Sequence, residues 1–408
     1  MLNAQGFIEY VENFSVFNQK TEIIRNINDS TPRFTNEFWT SGQRQASSLH
    51  EVSYRACFKP QLPRFFIETL TDPGDIVFDP FSGRGTTGLE AALLNRNAVS
   101  NDINPLSEIL ASPRFTPPRP EDVKRRLFKI RISGGLSSDL DLSMFYEKNT
   151  LQEILSIQKY LYNRKNTGRE DDLDRWIRMV ATNRLTGHSP GFFSVYTMPP
   201  NQAASAKRQE IINRKRNQKP TYRNTKELIY KKTKSLLKSL TSTELDNLER
   251  ARWRSFFLTT DARELKAIPN NYIRLTVTSP PFLKVVNYSD DNWLRCWFNR
   301  IDPAGVEITM TGRLNIWIQN MTGVFRELFR ITKQGGFVSF EVGEVSKGRI
   351  LLDEHVLKIG KATGFTPVCV LINKQDFTKT SNIWGIQNNT KGTNTNRIVV
   401  FQKTGFRI

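Results

Sequence analysis

The segment DPFSGRGTTG, starting at Asp79, has the residue types of a loop that cradles a nucleotide-like ligand. It lies between an apolar strand candidate and a predicted helix. Glycine lets the backbone turn tightly and approach a ligand, while a helix N-terminus presents unpaired N–H groups. Gly83, Gly85 and Gly88 fit the spacing GxGxxG, and Asp102 ends the next predicted strand, where a carboxylate suits hydrogen bonds to ribose hydroxyls. This glycine loop (residues 79–88) fits a nucleoside site and a dinucleotide site equally well, and a tight turn without a ligand is the third interpretation.

A second segment, TSPPF at residues 278–282, follows the apolar strand candidate IRLTV. Two prolines at the carboxyl end of a strand end it rigidly and remove two N–H donors, so the carbonyls there have fixed directions. Ligands of open α/β sheets bind outside the carboxyl ends of the strands, so this proline loop (residues 278–282) is expected to face the same crevice as the glycine loop. A serine, a preset carbonyl and an aromatic ring suit a planar base that bears an amino group. The alternative is a strand terminator with a core phenylalanine.

The elements that must position these loops follow an alternating pattern. The strand candidates are DIVFDPF, AVSNDINP, RSFFLTTD, YIRLTVTSPP, GGFVSFEVG, FTPVCVLIN and NRIVVFQK, and the helical candidates around them are RFFIETL, TTGLEAALLN and NIWIQNMTGVFRELFRITK. Near-continuous apolar strands that alternate with helices predict an α/β fold with a mostly parallel sheet covered on both faces.

Residues 115–255 differ from the rest in composition and pattern. They are polar, with apolar residues at helical spacing in LQEILSIQKYLYNR and TKELIYKKTKSLLKSL. We therefore predict one α/β domain, residues 50–114 and 256–408, interrupted by a basic helical insertion, residues 115–255. Residues 1–49 are expected to form an N-terminal arm or cap. The stretch 184–201 is interpreted as a buried loop that packs Phe192 and Phe193, with a segment that enters a nucleic-acid groove as the alternative.

Basic residues concentrate in the insertion, where residues 201–240 hold twelve Lys or Arg against two acids. Phosphate contact is the preferred role of this run, and a solvated helix face is the alternative. The candidate nucleic-acid-binding residues are Lys207, Arg208, Arg214, Lys215, Arg216, Lys219, Arg223, Lys231 and Lys232.

Composition limits the class of protein. The 408 residues carry a net charge of +19, which favours a polyanionic partner, either nucleic acid or an acidic membrane. A hydrophobic fraction of 38% is too high for a chain disordered throughout, and no stretch is long and apolar enough for a membrane span. The first residues have neither a basic lead nor an apolar run, so no secretory signal is expected. Cys57, Cys296 and Cys369 form no CxxC pair, which argues against a disulfide framework or a zinc ribbon and for a soluble protein in a reducing compartment.

Together the two loops resemble the cofactor loop and the catalytic loop of the S-adenosylmethionine-dependent DNA amino-methyltransferases. The segment 58–60 resembles the family's segment over the methionine end of the cofactor, residues 101–105 resemble the strand end that holds the ribose, and Asp261 resembles the carboxylate that reads the adenine amino group. The resemblance covers about residues 50–110 and 255–405, and it implies a Rossmann-like class I methyltransferase sheet of seven strands. Two features depart from the family: the insertion lies between the ribose acid and the adenine acid, and Arg84 stands where small residues are more usual.

The resemblance implies a set of site residues. The residues expected to bind S-adenosyl-L-methionine are Phe58, Lys59, Pro60, Asp79, Pro80, Phe81, Ser82, Gly83, Gly85, Thr86, Thr87, Asp102, Ile103, Asn104, Asp261 and Ala262. The expected catalytic residues are Ser279, Pro280, Pro281 and Phe282.

The resemblance further implies methyl transfer to an exocyclic amino nitrogen of a base flipped out of duplex DNA. Ser279 and a proline carbonyl would accept both amino protons, while Phe282 would stack on the base. A serine at the head of this loop usually accompanies cytosine N4 and an aspartate adenine N6, so cytosine is expected. Methylation at cytosine carbon 5 needs a cysteine nucleophile, and its Pro-Cys dipeptide does not occur here.

The implied partner is double-stranded DNA, with a restriction endonuclease of the same specificity as a further candidate and no membrane partner. We expect a cytoplasmic protein of a bacterial or archaeal cell, at the nucleoid when bound to DNA. An N6-adenine DNA methyltransferase, an RNA guanine-N2 methyltransferase, a dinucleotide oxidoreductase and a DNA-binding protein with an inactive cofactor site stay open as alternatives. The oxidoreductase leaves the proline loop and the basic insertion unexplained.

Overall fold

A computed structural model of the chain describes residues 1–16, 19–26, 29–39, 46–55, 57–200, 202–281, 288–302, 311–345, 350–374 and 395–405. The strands are β1 (Ser15–Val16), β2 (Gln19–Lys20), β3 (Glu22–Asn26), β4 (Asp29–Asn36), β5 (Ile76–Asp79), β6 (Asn97–Asn101), β7 (Phe256–Leu258), β8 (Ile273–Thr278), β9 (Thr332–Val342), β10 (Glu344–Val345), β11 (Ile350–Leu351), β12 (Thr366–Lys374) and β13 (Thr395–Gln402). The helices are α1 (Ala4–Glu12), α2 (Gln61–Leu70), α3 (Thr86–Leu93), α4 (Leu106–Ala111), α5 (Pro120–Lys129), α6 (Lys148–Asn166), α7 (Asp172–Arg184), α8 (Ala206–Arg216), α9 (Thr225–Leu237), α10 (Ser242–Arg252), α11 (Tyr288–Asn299), α12 (Leu314–Ile331) and α13 (Leu352–Ala362). Among the described residues, no helix combines the length and the apolar character that a membrane span needs.

One large sheet organises the chain, with the strand order β3-β4-β12-β13-β9-β8-β5-β6-β7. The five strands β9, β8, β5, β6 and β7 are parallel to one another. Strand β13 is antiparallel to both β9 and β12, so β12 runs in the same direction as the parallel set. The predicted mostly parallel α/β sheet is confirmed.

The sheet differs from the expectation in its strand count. The seven predicted strands are present as β5, β6, β7, β8, β9, β12 and β13. Strands β3 and β4, from the N-terminal 49 residues, extend the sheet beyond β12, because β4 pairs with β12 in parallel between Arg33 and Val370 and between Asn36 and Asn373. An unpaired β12 edge would leave a row of backbone donors and acceptors without partners, and β4 covers that edge.

Two hydrophobic clusters cover the two faces of the sheet, since successive side chains of a strand point to opposite faces. Val77 belongs to the first cluster, with residues of α2 and α3, while its neighbour Phe78 belongs to the second, with residues of α12 and α13. The helices of the insertion contribute Trp176 and Ile229 to the first cluster. The insertion therefore shares a core with the sheet.

The stretch after α7 is a packed loop. Phe192 and Phe193 are buried, and Arg184 lies over the Phe192 ring at 4.0 Å. A Cβ on Gly187 would lie 2.3 Å from the Phe192 ring, so the loop backbone approaches that ring closely. The expected packing of Phe192 and Phe193 is present, but residues 188–190, Tyr196 and Pro199 are exposed, so the loop is only partly buried. Residue 201 lies outside the described residues.

Candidate active site at the carboxyl edge of the sheet

The glycine loop leaves β5 at Asp79 and enters α3 at Thr86. Gly83 and Gly85 adopt positive φ angles of +54° and +76°, a region that other L-residues rarely occupy. A Cβ on Gly85 would lie 2.5 Å from the Ala111 Cβ, so a side chain would clash there. The glycines are thus required by backbone geometry and by close packing against α4.

Asp102 lies beside this loop, directly after β6. Its Oδ2 accepts a hydrogen bond from the Gly83 N–H at 2.8 Å, and its Oδ1 accepts one from the Asn104 N–H at 2.9 Å. Burial raises the pKa of the Asp102 carboxyl to about 6, although both hydrogen bonds act in the opposite direction. Each oxygen keeps acceptor capacity for a further donor such as a ligand hydroxyl.

Asp79 joins the glycine loop to the proline loop. Its Oδ1 accepts hydrogen bonds from Thr278 Oγ1 at 2.6 Å and from the Phe81 N–H at 3.1 Å, while its Oδ2 accepts one from Thr87 Oγ1 at 2.9 Å. Burial raises the pKa of this carboxyl to about 7, against these hydrogen bonds. One carboxyl group therefore holds together two strand ends that are 199 residues apart in the sequence.

The proline loop is held by side chains from α12 and β9. Trp317 Nε1 donates a hydrogen bond to the Pro281 carbonyl at 3.1 Å. Ser279 forms a hydrogen bond with Glu341, which also accepts one from the Asn396 side chain. Burial raises the pKa of Glu341, and both hydrogen bonds counteract the rise. Ser279 and Pro281 thus have defined partners.

Both loops line one cavity of about 110 Å³. We name the lining residues 79–83, 86, 102 and 103 the glycine wall, and the lining residues Ser279, Pro281 and Trp317 the proline wall. The predicted residues that line this cavity are Phe58, Asp79, Pro80, Phe81, Ser82, Gly83, Thr86, Asp102, Ile103, Asp261, Ala262, Ser279 and Pro281.

Some predicted residues do not line the cavity. These are Lys59, Pro60, Gly85, Thr87, Asn104 and Pro280, while Phe282 lies outside the described residues. Thr87 and Asn104 contribute indirectly, because each donates a hydrogen bond to a carboxylate that lines the cavity. Thr87 Oγ1 donates to Asp79 and the Asn104 N–H donates to Asp102. Burial and the charge of Arg84 lower the pKa of Lys59.

Several cavity residues were missed by sequence reasoning. These are Tyr54, Arg55, Cys57, Thr260, Arg263, Trp317, Asn320, Met321 and Val324, to which Glu341 is added for its contact with Ser279. The α12 members share one helix face by their spacing of three and four residues, which is a visible signal, but the spacing does not say what that face meets. Tyr54, Arg55 and Cys57 come just before the predicted Phe58.

Asp261 and Arg263 form a pair on the cavity rim. The Arg263 backbone N–H and Nε donate to Asp261 Oδ1 at 2.8 and 3.0 Å, and Arg263 Nη1 donates to Asn320 at 3.0 Å. The hydrogen bond from the Arg263 guanidinium lowers the pKa of Asp261. Asp261 is therefore held ionised at the cavity rim.

Arg84, the departure from the family pattern, points away from the cavity. Its Nη1 donates hydrogen bonds to the carbonyls of His50 at 3.2 Å and Val52 at 2.9 Å. Arg114 donates in the same region to the Leu49 carbonyl at 3.2 Å and also contacts the Arg84 carbonyl. Arg84 and Arg114 thus link the glycine loop to residues 49–52, which directly precede the cavity-lining residues Tyr54 and Arg55.

The predicted nucleic-acid-binding residues divide into two groups. Lys207, Arg208, Arg214, Lys215, Arg216 and Lys219 lie exposed on α8 or directly after it, and Lys231 is exposed on α9. Lys232 differs, because its side chain is only 13% exposed and its Nζ pairs with Glu51 at 2.9 Å. Arg223 is half-buried. Lys232 is therefore committed to an internal ion pair.

The sheet and the cavity that both loops line define an α/β domain with a candidate ligand site at the carboxyl ends of its parallel strands. Residues 10–109 match the family model described as DNA methylase, which confirms the resemblance to the DNA amino-methyltransferase family over that part of the chain.

Curated relatives of short segments of the chain are named methyltransferases. Type II methyltransferase M.PvuII of Proteus hauseri is 36% identical over 89 residues, which are 22% of this chain and 26% of that protein. Type II methyltransferase M.XycI of Xanthomonas campestris pv. cyanopsidis is 46% identical over 58 residues, 14% of this chain and 19% of that protein. The matched segments thus span about a quarter or less of these relatives.

Among solved structures, the TehB-like SAM-dependent methyltransferase of Corynebacterium glutamicum is 7% identical, with a TM-score of 0.29 over 84% of this chain and 87% of that chain. At this TM-score the overlap adds nothing to the fold assignment, which rests on the strand pairing described above.

Proposed function

We propose that this protein transfers a methyl group from S-adenosylmethionine to the exocyclic amino group of a base flipped out of double-stranded DNA, and that the base is cytosine, methylated at N4. The observation that carries the proposal is that Asp102 and the glycine loop line the same cavity as Ser279 and Pro281. Direct transfer requires the methyl donor and the acceptor base to be bound next to each other. In this cavity the glycine wall is available to the donor and the proline wall to the base.

The glycine wall fits the cofactor. Ser82 Oγ is buried and has no hydrogen-bond partner within the described part of the chain, so a bound ligand would supply one. Asp102 keeps acceptor capacity for ribose hydroxyls, and we assign the adenine end to Asp261 and Ala262. When bound, the cofactor supplies an electrophilic methyl group on a positively charged sulfur. The fold supports this assignment, because ligands of such sheets lie at the carboxyl ends of the strands.

The proline wall fits an amino group. The lone pair of an exocyclic amine is delocalised into the ring, which makes the nitrogen a poor nucleophile. If the Ser279 hydroxyl donates to Glu341, its oxygen lone pairs are left to accept from the amino group. A proline-loop carbonyl accepts the second amino proton, and both bonds together favour a pyramidal nitrogen with a directed lone pair.

The amino nitrogen loses one proton once its bond to the methyl carbon has formed. Glu341 is hydrogen-bonded to Ser279 and is buried, which raises its pKa, so it is suited to take that proton through the hydroxyl. Trp317 keeps the proline loop in place by its hydrogen bond to Pro281. No covalent enzyme intermediate is needed in this scheme.

The DNA contact is assigned to the exposed cations of α8. Six cations, Lys207, Arg208, Arg214, Lys215, Arg216 and Lys219, lie exposed within thirteen residues and suit a phosphate backbone. Phosphate contacts position a protein on the duplex but do not specify sequence. The serine at the head of the proline loop supports cytosine over adenine by resemblance to the family.

Methylation of a randomised duplex DNA library tests the proposal. The protein is incubated with S-adenosylmethionine that carries a labelled methyl group, and the nucleosides are separated after digestion. We expect label in N4-methylcytosine within one sequence context. Label in N6-methyladenine would contradict the choice of base but not the class of reaction. Transfer to tRNA and not to duplex DNA would contradict the DNA proposal and favour the RNA guanine-N2 alternative.

A further inference from the structure

Arg216, the last residue of α8, packs on an aromatic ring at the surface of the insertion. Its guanidinium carbon lies 3.8 Å from the centre of the Tyr196 ring. Arg216 is exposed, and Tyr196 is 40% exposed, so a partner can reach both side chains. Among the described residues no carboxylate pairs with Arg216, and its N–H donors are therefore available to a ligand. We name Arg216 and Tyr196 the stacked pair.

The backbone that carries the ring is fixed by α8 and by the turn after it. The Tyr196 carbonyl accepts hydrogen bonds from Gln209 Nε2 at 3.0 Å and from Gln218 Nε2 at 2.9 Å. Both amides also donate to Asn213 Oδ1, each at 2.8 Å, and Asn213 Nδ2 donates to the Met144 carbonyl at 2.7 Å. The stacked pair is thus arranged before any partner binds, which lowers the entropy that is lost on binding.

The segment that carries Tyr196 also contacts the chain next to the cavity. Arg295 Nη2 donates hydrogen bonds to the Pro200 carbonyl at 2.6 Å and to the Ser53 carbonyl at 2.9 Å. Tyr54, the residue after Ser53, lines the cavity. The chain from Tyr196 to Pro200 spans at most about 14 Å, because an extended residue covers roughly 3.5 Å. This length equals about four steps of a duplex strand with its spacing of about 3.4 Å. The stacked pair can therefore reach bases near one that enters the cavity.

The chemistry of the stacked pair differs from that of the other exposed cations of α8. Arg214 and Lys215 have no such ring contact within the described part of the chain. A cation on a freely moving side chain suits a phosphate, which needs a charge but no fixed direction. A guanidinium held on a ring presents its planar fork of N–H donors in a defined direction. That fork matches the O6 and N7 acceptors of guanine in the major groove, where adenine offers one acceptor and one donor.

We propose that Arg216 is a specificity-determining residue, which reads a guanine near the target base while the Tyr196 ring holds its guanidinium in place. The inference deepens the proposed function and rests on it, because that function supplies the duplex DNA. The other exposed cations of α8 keep their assignment to phosphates. One guanine of the recognised sequence must then depend on both members of the stacked pair.

The test sequences the bound and the methylated fractions of a randomised duplex DNA library. We expect the wild type to select a guanine close to the methylated base. Arg216→Ala should accept all four bases at that position and bind the sequence preferred by the wild type roughly five- to a hundredfold more weakly. Arg216→Lys keeps the charge but not the planar fork, so it should also lose most of the preference.

Arg214→Ala is the matched control, because Arg214 is exposed on the same helix two residues earlier. Its loss should weaken the binding of all sequences alike and leave the preferred sequence unchanged. Tyr196→Leu removes the ring and should relax the guanine preference without changing the other positions. Tyr196→Phe keeps the ring and should retain the preference.

Three outcomes would overturn the inference: an unchanged library profile in Arg216→Ala, a uniform weakening with the guanine preference intact, or a preference that Arg216→Lys retains in full. The last two would indicate a phosphate contact. The Tm of Arg216→Ala should stay close to that of the wild type, because the residue is exposed at a helix end. A wild type that selects sequences but methylates none of them would contradict the proposed function alone, since the bound fraction still tests Arg216.

Discussion

The glycine wall and the proline wall meet across one cavity but are stabilised in different ways. The glycine wall is built from close sequence neighbours, since the bonds that Asp102 accepts come from residues 19 and 2 positions away. The proline wall depends on distant partners, since Trp317 reaches Pro281 across 36 positions and Glu341 of β9 is hydrogen-bonded to Ser279. Asp79 is an exception within the glycine wall, because it accepts a hydrogen bond from Thr278 across 199 positions.

This difference separates two kinds of functional residue. A locally built wall carries its chemistry in a recognisable motif, and a substitution there removes a contact with the ligand itself. A wall built by distant partners carries part of its function in residues that belong to no motif, such as Trp317 and Glu341. We therefore expect substitutions on the glycine wall to affect binding and substitutions on the proline wall to affect turnover.

The largest effect is expected for Ser279→Ala. Loss of the hydroxyl removes one acceptor of the amino group and its link to Glu341, and loss of one such group typically costs about 10²- to 10³-fold in kcat. The Kd for S-adenosylmethionine, measured by calorimetry, should not change, and Ser242→Ala on the exposed start of α10 is the control. A turnover within about threefold of the wild type in single-turnover assays would show that the proline loop does not act as proposed.

Asp102→Asn, a substitution on the glycine wall, should have the next largest effect, and this effect should be on cofactor binding. A hydrogen bond to a charged acceptor contributes about 1.5–3 kcal/mol, so the Kd for S-adenosylmethionine should rise by roughly ten- to a hundredfold. Once the cofactor is saturating, kcat should stay within a few-fold. A variant with normal cofactor affinity would contradict the role given to the glycine wall.

The pH dependence of cofactor binding is a second test of the role of the Asp102 carboxylate. Because burial raises the pKa of Asp102 to about 6, the carboxylate is ionised above that pH and protonated below it. The affinity of the wild type for S-adenosylmethionine should therefore fall as the pH is lowered through about 6. Calorimetric titrations between pH 5 and pH 8 should show this fall in the wild type, while Asp102→Asn should show a much flatter profile.

Trp317→Phe tests the distant support of the proline wall. Phenylalanine keeps an aromatic ring at this buried position but cannot donate to the Pro281 carbonyl. The lost hydrogen bond corresponds to about 1 kcal/mol, so kcat should fall by roughly fivefold with cofactor affinity unchanged. A change in cofactor affinity without a change in kcat would mean that Trp317 serves the glycine wall instead.

The smallest effects per residue are expected for the phosphate-contacting cations of α8. Lys215→Ala should weaken DNA binding a few-fold and reduce the slope of log K against log salt by about 0.9, the value for one phosphate contact. Lys232→Ala should leave that slope unchanged, because the ammonium pairs with Glu51. Fluorescence anisotropy at several salt concentrations separates the two variants, and equal slopes would contradict the assignment of α8.

Much of the fold could be predicted from the sequence because strand and loop signals are local. The seven predicted strands are present, and the residues at the ends of four of them face the cavity edge as GxGxxG spacing, paired prolines and terminal acids indicated. The edge strands β3 and β4 were missed, since their short polar segments become strands only by pairing with β12 and with each other.

The site residues likewise fall into two groups, those that local sequence signals predict and those that contacts between distant segments determine. The sequence by itself singled out the glycine loop, Asp102 and the proline loop, because turn-forming and acidic residues at strand ends are local signals, while Asp261 followed from the resemblance to the family. Only the tertiary structure decided that Arg84 bonds to the carbonyls of His50 and Val52 and that Lys232 pairs with Glu51. It also decided that Glu341 bonds to Ser279 and that Trp317 and Arg55 line the cavity. Those roles depend on which strands and helices become neighbours, and a contact between segments far apart in the chain leaves no periodic signal in either one.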